Sequence, residues 1–319
     1  MWLTSCRNTH MIDLRRLRVL RSVAYYGTVT AAAHALHLTP SAAQQVRQLG
    51  RELGVDLFEP HGRRVRLTSA ARTLLAHADA IEERWHQAEA DLATAGTPTP
   101  NGTLRICGFP TAVSTLIAPA AVRLGRDWPT LTTQIREAEP MECFDLLFSG
   151  DADLAVVEAT ADNPPHTDHR FDQQLLLEDP FDLLTAGDHP LAAMESVALT
   201  DLADQPWILG MPASSSRQHV LTACTRAGFT PAIVHQAREW SVVATLAEHG
   251  LGIALVPRLA KLPPQLTVAR IPLSKDRPSR HLLTVILRGT KDQPAIEAAL
   301  RQLAETTRAA TATPPEQRT

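Results

Sequence analysis

Between Thr39 and Gly50 the chain reads TPSAAQQVRQLG, and its polar residues are of kinds that can pair with nucleic-acid bases. Ala42, Val46 and Leu49 fall at i, i+4 and i+7, the spacing of one buried helix face. Ser41, Gln44, Gln45, Arg47 and Gln48 fill the other positions and are rich in hydrogen-bond donors. Thr39 suits the cap of such a helix and Pro40 its first turn. On an ordinary surface helix these side chains meet water. On a recognition helix they meet the edges of bases.

Other candidate chemistry is weaker. The run HTDH, His166 to His169, with Asp162 and Asp168 close by, has metal-ligand residue types, but it lies in a Pro-rich connection where solvated histidines are ordinary. No metal and no cofactor is expected. Cys6, Cys107, Cys143 and Cys224 are far apart and lack metal-ligand spacing, so buried or indifferent thiols are expected rather than a redox pair. No nucleophile elbow or phosphate loop is visible, and catalysis is not expected.

The elements that must position these residues follow from the hydropathy pattern. The 319 residues allow two or three domains. Asp13 can cap a first helix with Leu14, Leu17, Leu20 and Ala24 inward, ending near Gly27. Thr30 can cap a short second helix burying Ala32, Ala35 and Leu36. The helix at 39–53 is stopped by Gly54, and VDLFEPHGRRVRLT then reads as a hairpin carrying Arg63, Arg64 and Arg66. Residues 1–72 hold eleven arginines against four acids, a net of +7, which leaves −10 for the remainder. A basic head on an acidic body points to a polyanionic partner.

From a cap at Thr68 to Gly96 runs a long helix in which Leu74, Ala78, Ile81, Trp85, Ala88 and Leu92 alternate steps of four and three. This 3.5-residue seam fits a dimer interface, or a helix lying on its own domain. TPTPNG follows as a linker. Beyond it, short apolar strands (LRICG, LTTQIREA, DLAVVE, WILG, AIVHQA, GIALVP, LLTVIL) alternate with helices near 111–124, 141–148, 217–227 and 241–248, the pattern of an α/β domain. Two such units joined by crossing strands would leave a cleft. No apolar run approaches a membrane span, so no membrane partner is expected.

Taken together, TVTAAAHALHLTPSAAQQVRQLGRELGVDLFEPHGRRVRLTSAA, with GDADLAVVE, DHPLA and HGLGIALVP further on, resembles the LysR-type transcriptional regulators from Met11 to about residue 304. The resemblance implies a winged helix-turn-helix at 11–68, a dimerising linker helix at 69–96 and a linker at 97–102. It implies next a periplasmic-binding-protein-like (type 2) effector domain, with subdomain I at 103–181 and 270–304 and subdomain II at 182–269. Residues 1–10 are expected to be a disordered extension and 305–319 a polar tail. The implied DNA interface comprises Thr28, Thr30, Thr39, Ser41, Gln44, Gln45, Arg47, Gln48, Arg63, Arg64 and Arg66, with glutamine suited to adenine, arginine to guanine and the wing to phosphate. The chain departs from the family pattern in a recognition helix one residue shorter, in Val29 for an aromatic and in Ala71 for glycine.

For the effector, two helix starts stand out. RICGFPTAVSTL runs from a strand directly into a helix at Phe109, Pro110 and Thr111, and LGMPASSSRQHV opens another at Met211, Ser214, Ser215 and Ser216. Helix N-termini favour anions, although each hydroxyl can equally be an ordinary cap. The family lines its effector cleft with both regions, and Glu139, Glu158 and Glu239 are further candidates. The expected partners are a double-stranded DNA operator, a small effector of anionic or polar type and a second copy of the chain through the linker helix. A homotetramer in the bacterial cytoplasm is implied, with RNA polymerase as a further partner of an activator. A two-lobed small-molecule receptor whose head serves only assembly is the competing reading, and an enzyme on the same scaffold a third.

Overall fold

In the computed structural model, the described residues are 14–28, 32, 42–61, 64–96, 99–212, 214–275 and 277–312. They divide into two compact units near Leu92. The expected extension at 1–10 lies outside the described residues, as do Thr30, Thr39, Ser41 and Arg63.

The first unit holds α1 (Leu14–Tyr26), α2 (Ala42–Leu53), the antiparallel hairpin β1 (Phe58–His61) and β2 (Arg64–Leu67), and α3 (Ser69–Gly96). Its core gathers Leu17, Leu20 and Val23 of α1, Val46 and Leu49 of α2, Leu57, and Ala71 and Ala78 of α3. Leu14, expected inward, is exposed in the first turn, and Val19 is buried instead. Thr68 caps α3: its hydroxyl accepts from the Ala71 amide at 3.1 Å.

The seam along α3 divides in two. Ala78 is buried in the head core and Leu74 packs against that core, whereas Ile81, Trp85 and Leu92 are 42%, 56% and 72% exposed. The expectation of a dimer seam through Leu74, Ala78, Ile81, Trp85 and Leu92 is corrected for Leu74 and Ala78, which the head itself covers. α1 is tied to this part of α3 by Arg21, which bonds Asp79 at 2.5 Å and also Glu82. The first turns of the helix therefore cover the head core, whereas Ile81, Trp85 and Leu92 further along form an exposed stripe.

The second unit is a two-lobed α/β body. Strand β3 (Gly102–Gly108) leads into a helix, α4, that begins Pro110–Ala112, passes a π-helical turn Val113–Ile117 and continues Ala118–Asp127. β4 (Leu131–Glu137) and β5 (Leu154–Glu158) flank β3 in parallel, with α5 (Pro140–Ser149) between them in sequence. Then comes β6, Phe171–Ala186, which the sequence pattern does not announce as a strand. Its first half pairs with β11 (Ser279–Leu287), which also pairs with β5 and so completes lobe I. Its second half pairs with β9 (Ala254–Pro257) and β10 (Val268–Pro272) in lobe II. The exchange falls at Pro180–Phe181.

Lobe II also holds the parallel pair β7 (Pro206–Leu209) and β8 (Ala232–Gln236), with α6 (Ser215–Arg226) and α7 (Trp240–Glu248). Lobe I has its own core around Leu104, Ile106, Leu116, Val156, Leu282 and Leu303, and lobe II one around Phe181, Trp207, Val220 and Leu255. Two expected boundaries move. The return to lobe I does not come at residue 270, because β10 pairs with β6 and Leu273 packs in the lobe II core. The expected polar tail from 305 is helix as far as Ala312: α8 spans Pro294–Ala312 and buries Thr306 and Thr307, whose hydroxyls bond the Gln302 and Leu303 carbonyls. A polar composition conceals this burial because threonine satisfies its hydroxyl within its own helix.

Candidate functional site

On the head, Val46 and Leu49 turn α2 inward, which leaves Gln44 and Arg47 exposed and Gln45 half-buried. Gln48 is half-buried too, and its amide donates to Glu52 at 2.9 Å, the carboxylate that also binds Arg16 at 2.5 Å. The helix thus presents Gln44 and Arg47 fully, while Gln48 is partly engaged within the head. Arg66 on β2 is exposed, with Glu59 across the strand pair at 3.6 Å. Such a pair between exposed side chains is weak and screened by salt, so the guanidinium stays available to phosphate. The Arg64 backbone lies opposite His61 in the same ladder. Thr28 is half-buried, and its carbonyl accepts from Ala32 at 3.1 Å.

In the second unit the chemistry collects where the lobes meet. Gly108 ends β3 in close quarters: a Cβ there would come within 2.6 Å of Ile117 Cδ1 and 2.9 Å of the Val156 carbonyl. Only glycine lets the strand run so tightly into α4. Phe109 is the N-cap residue and Pro110 begins the helix. Thr111 is buried and is not the cap; its carbonyl accepts from Ser114 and Thr115. Ser214 is a true cap, with extended backbone and its hydroxyl accepting from the Arg217 amide at 3.3 Å. Met211 is exposed. Glu139 and Glu239 are exposed N-cap residues of α5 and α7.

Glu158 is the centre of this region. It ends β5 of lobe I, is 4% exposed, and takes Nε2 of His219 on α6 of lobe II at 2.9 Å. Its other oxygen faces Arg280 at 3.5 Å, and Arg280 bonds Asp179 at 2.9 Å and lies over the Phe109 ring at 5.1 Å. Burial works against ionisation of Glu158, but the His219 bond and the Arg280 charge hold its carboxyl below the usual carboxylate range. For Asp179 burial prevails over the Arg280 charge and raises the carboxyl.

Of the residues expected at the effector site, Phe109 under Arg280, Glu158, and Ser215, whose hydroxyl bonds the Glu158 carboxylate, fall into one connected group. His219, Arg280 and Asp179 escaped the sequence reading. His219 carried a signal, standing four residues after Ser215 on one helical face. Arg280 and Asp179 carried none, since their pairing depends on which strands adjoin.

Elsewhere, Asp168 of the HTDH run is taken by Arg170 at 2.5 Å. Among the described residues no cluster of three metal-ligating side chains occurs. Cys107, Cys143 and Cys224 are free, buried thiols. Contact with Cys107 and burial raise the Cys143 thiol, and burial pushes Cys224 up to about 11. No described helix is long and apolar enough to cross a membrane.

A head whose helix α2 turns polar residues outward, followed by a two-lobed α/β domain with a charged junction, is the make-up of a DNA-binding regulator with a sensory domain. Residues 14–72 match the bacterial regulatory helix-turn-helix protein model of the lysR family, and residues 97–308 match the LysR substrate binding domain. The chain belongs to the LysR family of transcriptional regulators. It is 28% identical over 253 residues to the regulator AlsR of Bacillus subtilis, covering 78% of this chain and 82% of AlsR. Against the hydrogen peroxide-inducible genes activator of Pectobacterium carotovorum it is 27% identical over 308 residues, covering 93% and 96%. A full-length OxyR variant from Pseudomonas aeruginosa shares the fold, with a TM-score of 0.63 at 23% identity over 92% and 95% of the two chains.

Proposed function

We propose that this LysR-type regulator reads its operator through Gln44, Gln45 and Arg47, with Arg63, Arg64 and Arg66 on phosphate. We propose also that it responds to a small effector where the two lobes meet, near Phe109, Pro110, Thr111, Glu158, Met211, Ser214 and Ser215. The observation that carries the second part is the Glu158–His219 bond, which joins the lobes through side chains at 2.9 Å. A ligand that prefers one lobe arrangement shifts the population toward it, and by no more than its differential affinity. The exposed Ile81, Trp85 and Leu92 of α3 supply a homodimer seam, and two such dimers form a homotetramer on DNA in the bacterial cytoplasm.

Peroxide sensing, as in the Pectobacterium relative's name, is not carried over. Reactive thiols are accessible, whereas the described cysteines Cys107, Cys143 and Cys224 are buried, and the Cys143 and Cys224 thiols are raised as well.

The test is duplex DNA affinity of the full chain against salt. A DNA reader loses affinity steeply, with a slope of several ions. A flat response favours a receptor whose head serves only assembly.

A further inference from the structure

On α2, Gln48 stands two residues after the buried Val46, about 200° round the helix, and so lies nearly opposite the face that packs the head core. Gln44 stands two residues before Val46 and falls on the same outward line, one turn away. The two glutamines are nevertheless held differently. Gln44 is exposed, whereas Gln48 is half-buried and its Nε2 donates to Glu52 Oε1 at 2.9 Å. Arg16 of α1 meets the same Glu52 oxygen at 2.5 Å.

The direction of the Gln48 bond fixes the sense of its amide. A carboxylate accepts hydrogen bonds and donates none, so only the NH2 side of Gln48 can face Glu52. Turned over, the amide would set its oxygen against the carboxylate. With one N–H on Glu52, the carbonyl oxygen and the second N–H remain side by side as an acceptor and a donor. Adenine alone carries both a donor, N6, and an acceptor, N7, on its major-groove edge; guanine offers two acceptors, thymine one and cytosine a single donor. A glutamine free to turn can point its donors at guanine or thymine as well. The tether has a second consequence. An acid on a helix that approaches phosphates is unfavourable unless its charge is matched, and Arg16 matches that of Glu52.

Building on the operator-reading role proposed above, we infer that Gln48 is a further base-reading residue, specific for adenine, and that Glu52, tethered by Arg16, is the positioning residue that sets this preference. Gln44, with its exposed amide, lacks this restraint among the described contacts and reads with less discrimination.

Selection of bound sequences from a random duplex library by the full chain tests this. The unsubstituted protein is expected to select an adenine at a position that Gln48→Ala makes indifferent, with about tenfold loss of preference there and the other positions kept. Alanine is a strong helix former, so this variant keeps α2. Glu52→Gln, which can either accept from Gln48 or donate to it, should admit guanine or thymine at the same position. Arg16→Met frees Glu52 without altering α2 and should act in the same direction more weakly, which keeps the test informative if Glu52→Gln does not fold. Preferences unchanged in Gln48→Ala, or a base other than adenine at the position it governs, overturn the inference. Adenine retained undiminished in Glu52→Gln and Arg16→Met does so too. If Gln44→Ala alters the selected sequence and Gln48→Ala does not, the operator reading stands and Gln48 has no part in it. A library that yields no preferred sequence with the unsubstituted protein overturns both.

Discussion

Glu158 and His219 lie 61 residues apart in the chain and meet at 2.9 Å, one from each lobe. The pH dependence of this contact has a defined sign. A carboxyl held lower in the fold than in the unfolded chain stabilises the fold above its ordinary value and loses that contribution as pH falls through the depressed one. Asp179, raised by burial, acts in the opposite sense and favours the fold as pH falls. Glu158→Gln should therefore flatten the loss of thermal stability below about pH 4.3, the ordinary glutamate value. A melting-temperature profile that keeps its acid limb in the variant would remove Glu158 as its source.

Arg280 sits 3% exposed between Glu158 and Asp179. Arg280→Met leaves two buried carboxylates without their cation, a change that typically costs about 3–5 kcal/mol. Urea unfolding of the effector unit should report it. A loss under 1 kcal/mol would mean that water or relaxation replaces the guanidinium.

For DNA, Gln44→Ala should cost about 1–3 kcal/mol on the operator and little on random duplex. Arg66→Ala should weaken all duplexes alike and lower the salt slope by about one. Fluorescence anisotropy at several salt concentrations separates the two. Equal loss on both DNAs for Gln44→Ala would demote that residue to a backbone contact.

The division of α3 gives a paired prediction. Ile81→Asp places a charge on the exposed stripe and should dissociate the dimer while the head stays folded, whereas Ala78→Asp buries an unpaired charge and should unfold the head. Sedimentation mass and circular dichroism read the two effects. An unchanged mass for Ile81→Asp removes the seam.

Cys107, Cys143 and Cys224 should resist alkylation in the native chain and react fully in urea. Mass spectrometry after iodoacetamide provides the count. Native labelling at any of the three would reopen a redox role.

The head and most strands of the effector domain were legible because their apolar residues repeat at the period of the element. β6 was not. Glu178, Asp179, Pro180 and Asp182 interrupt its apolar pattern, and in isolation they spell a loop. In the fold Asp179 meets Arg280 and Asp182 meets Arg258 at 2.7 Å, so the acids are buried by virtue of long-range partners that no local window contains. The site divides the same way. Glu158 and Ser215 end or begin elements and were found, while Arg280 lies on the returning segment and acquires meaning only when β11 is laid beside β5 and β6.

That β6 serves both sheets has a mechanical consequence. Lobes strung on loops swivel freely, but these two are cut from one ribbon, laddered to β11 on one side of Pro180 and to β9 and β10 on the other. The ribbon acts as a leaf spring clamped at both ends. The changeover between partners falls at Pro180, whose ring supplies no amide to the ladder. In the proposed effector response, a movement of one lobe is therefore carried to the other along this strand, as well as through the segment that returns between β10 and β11.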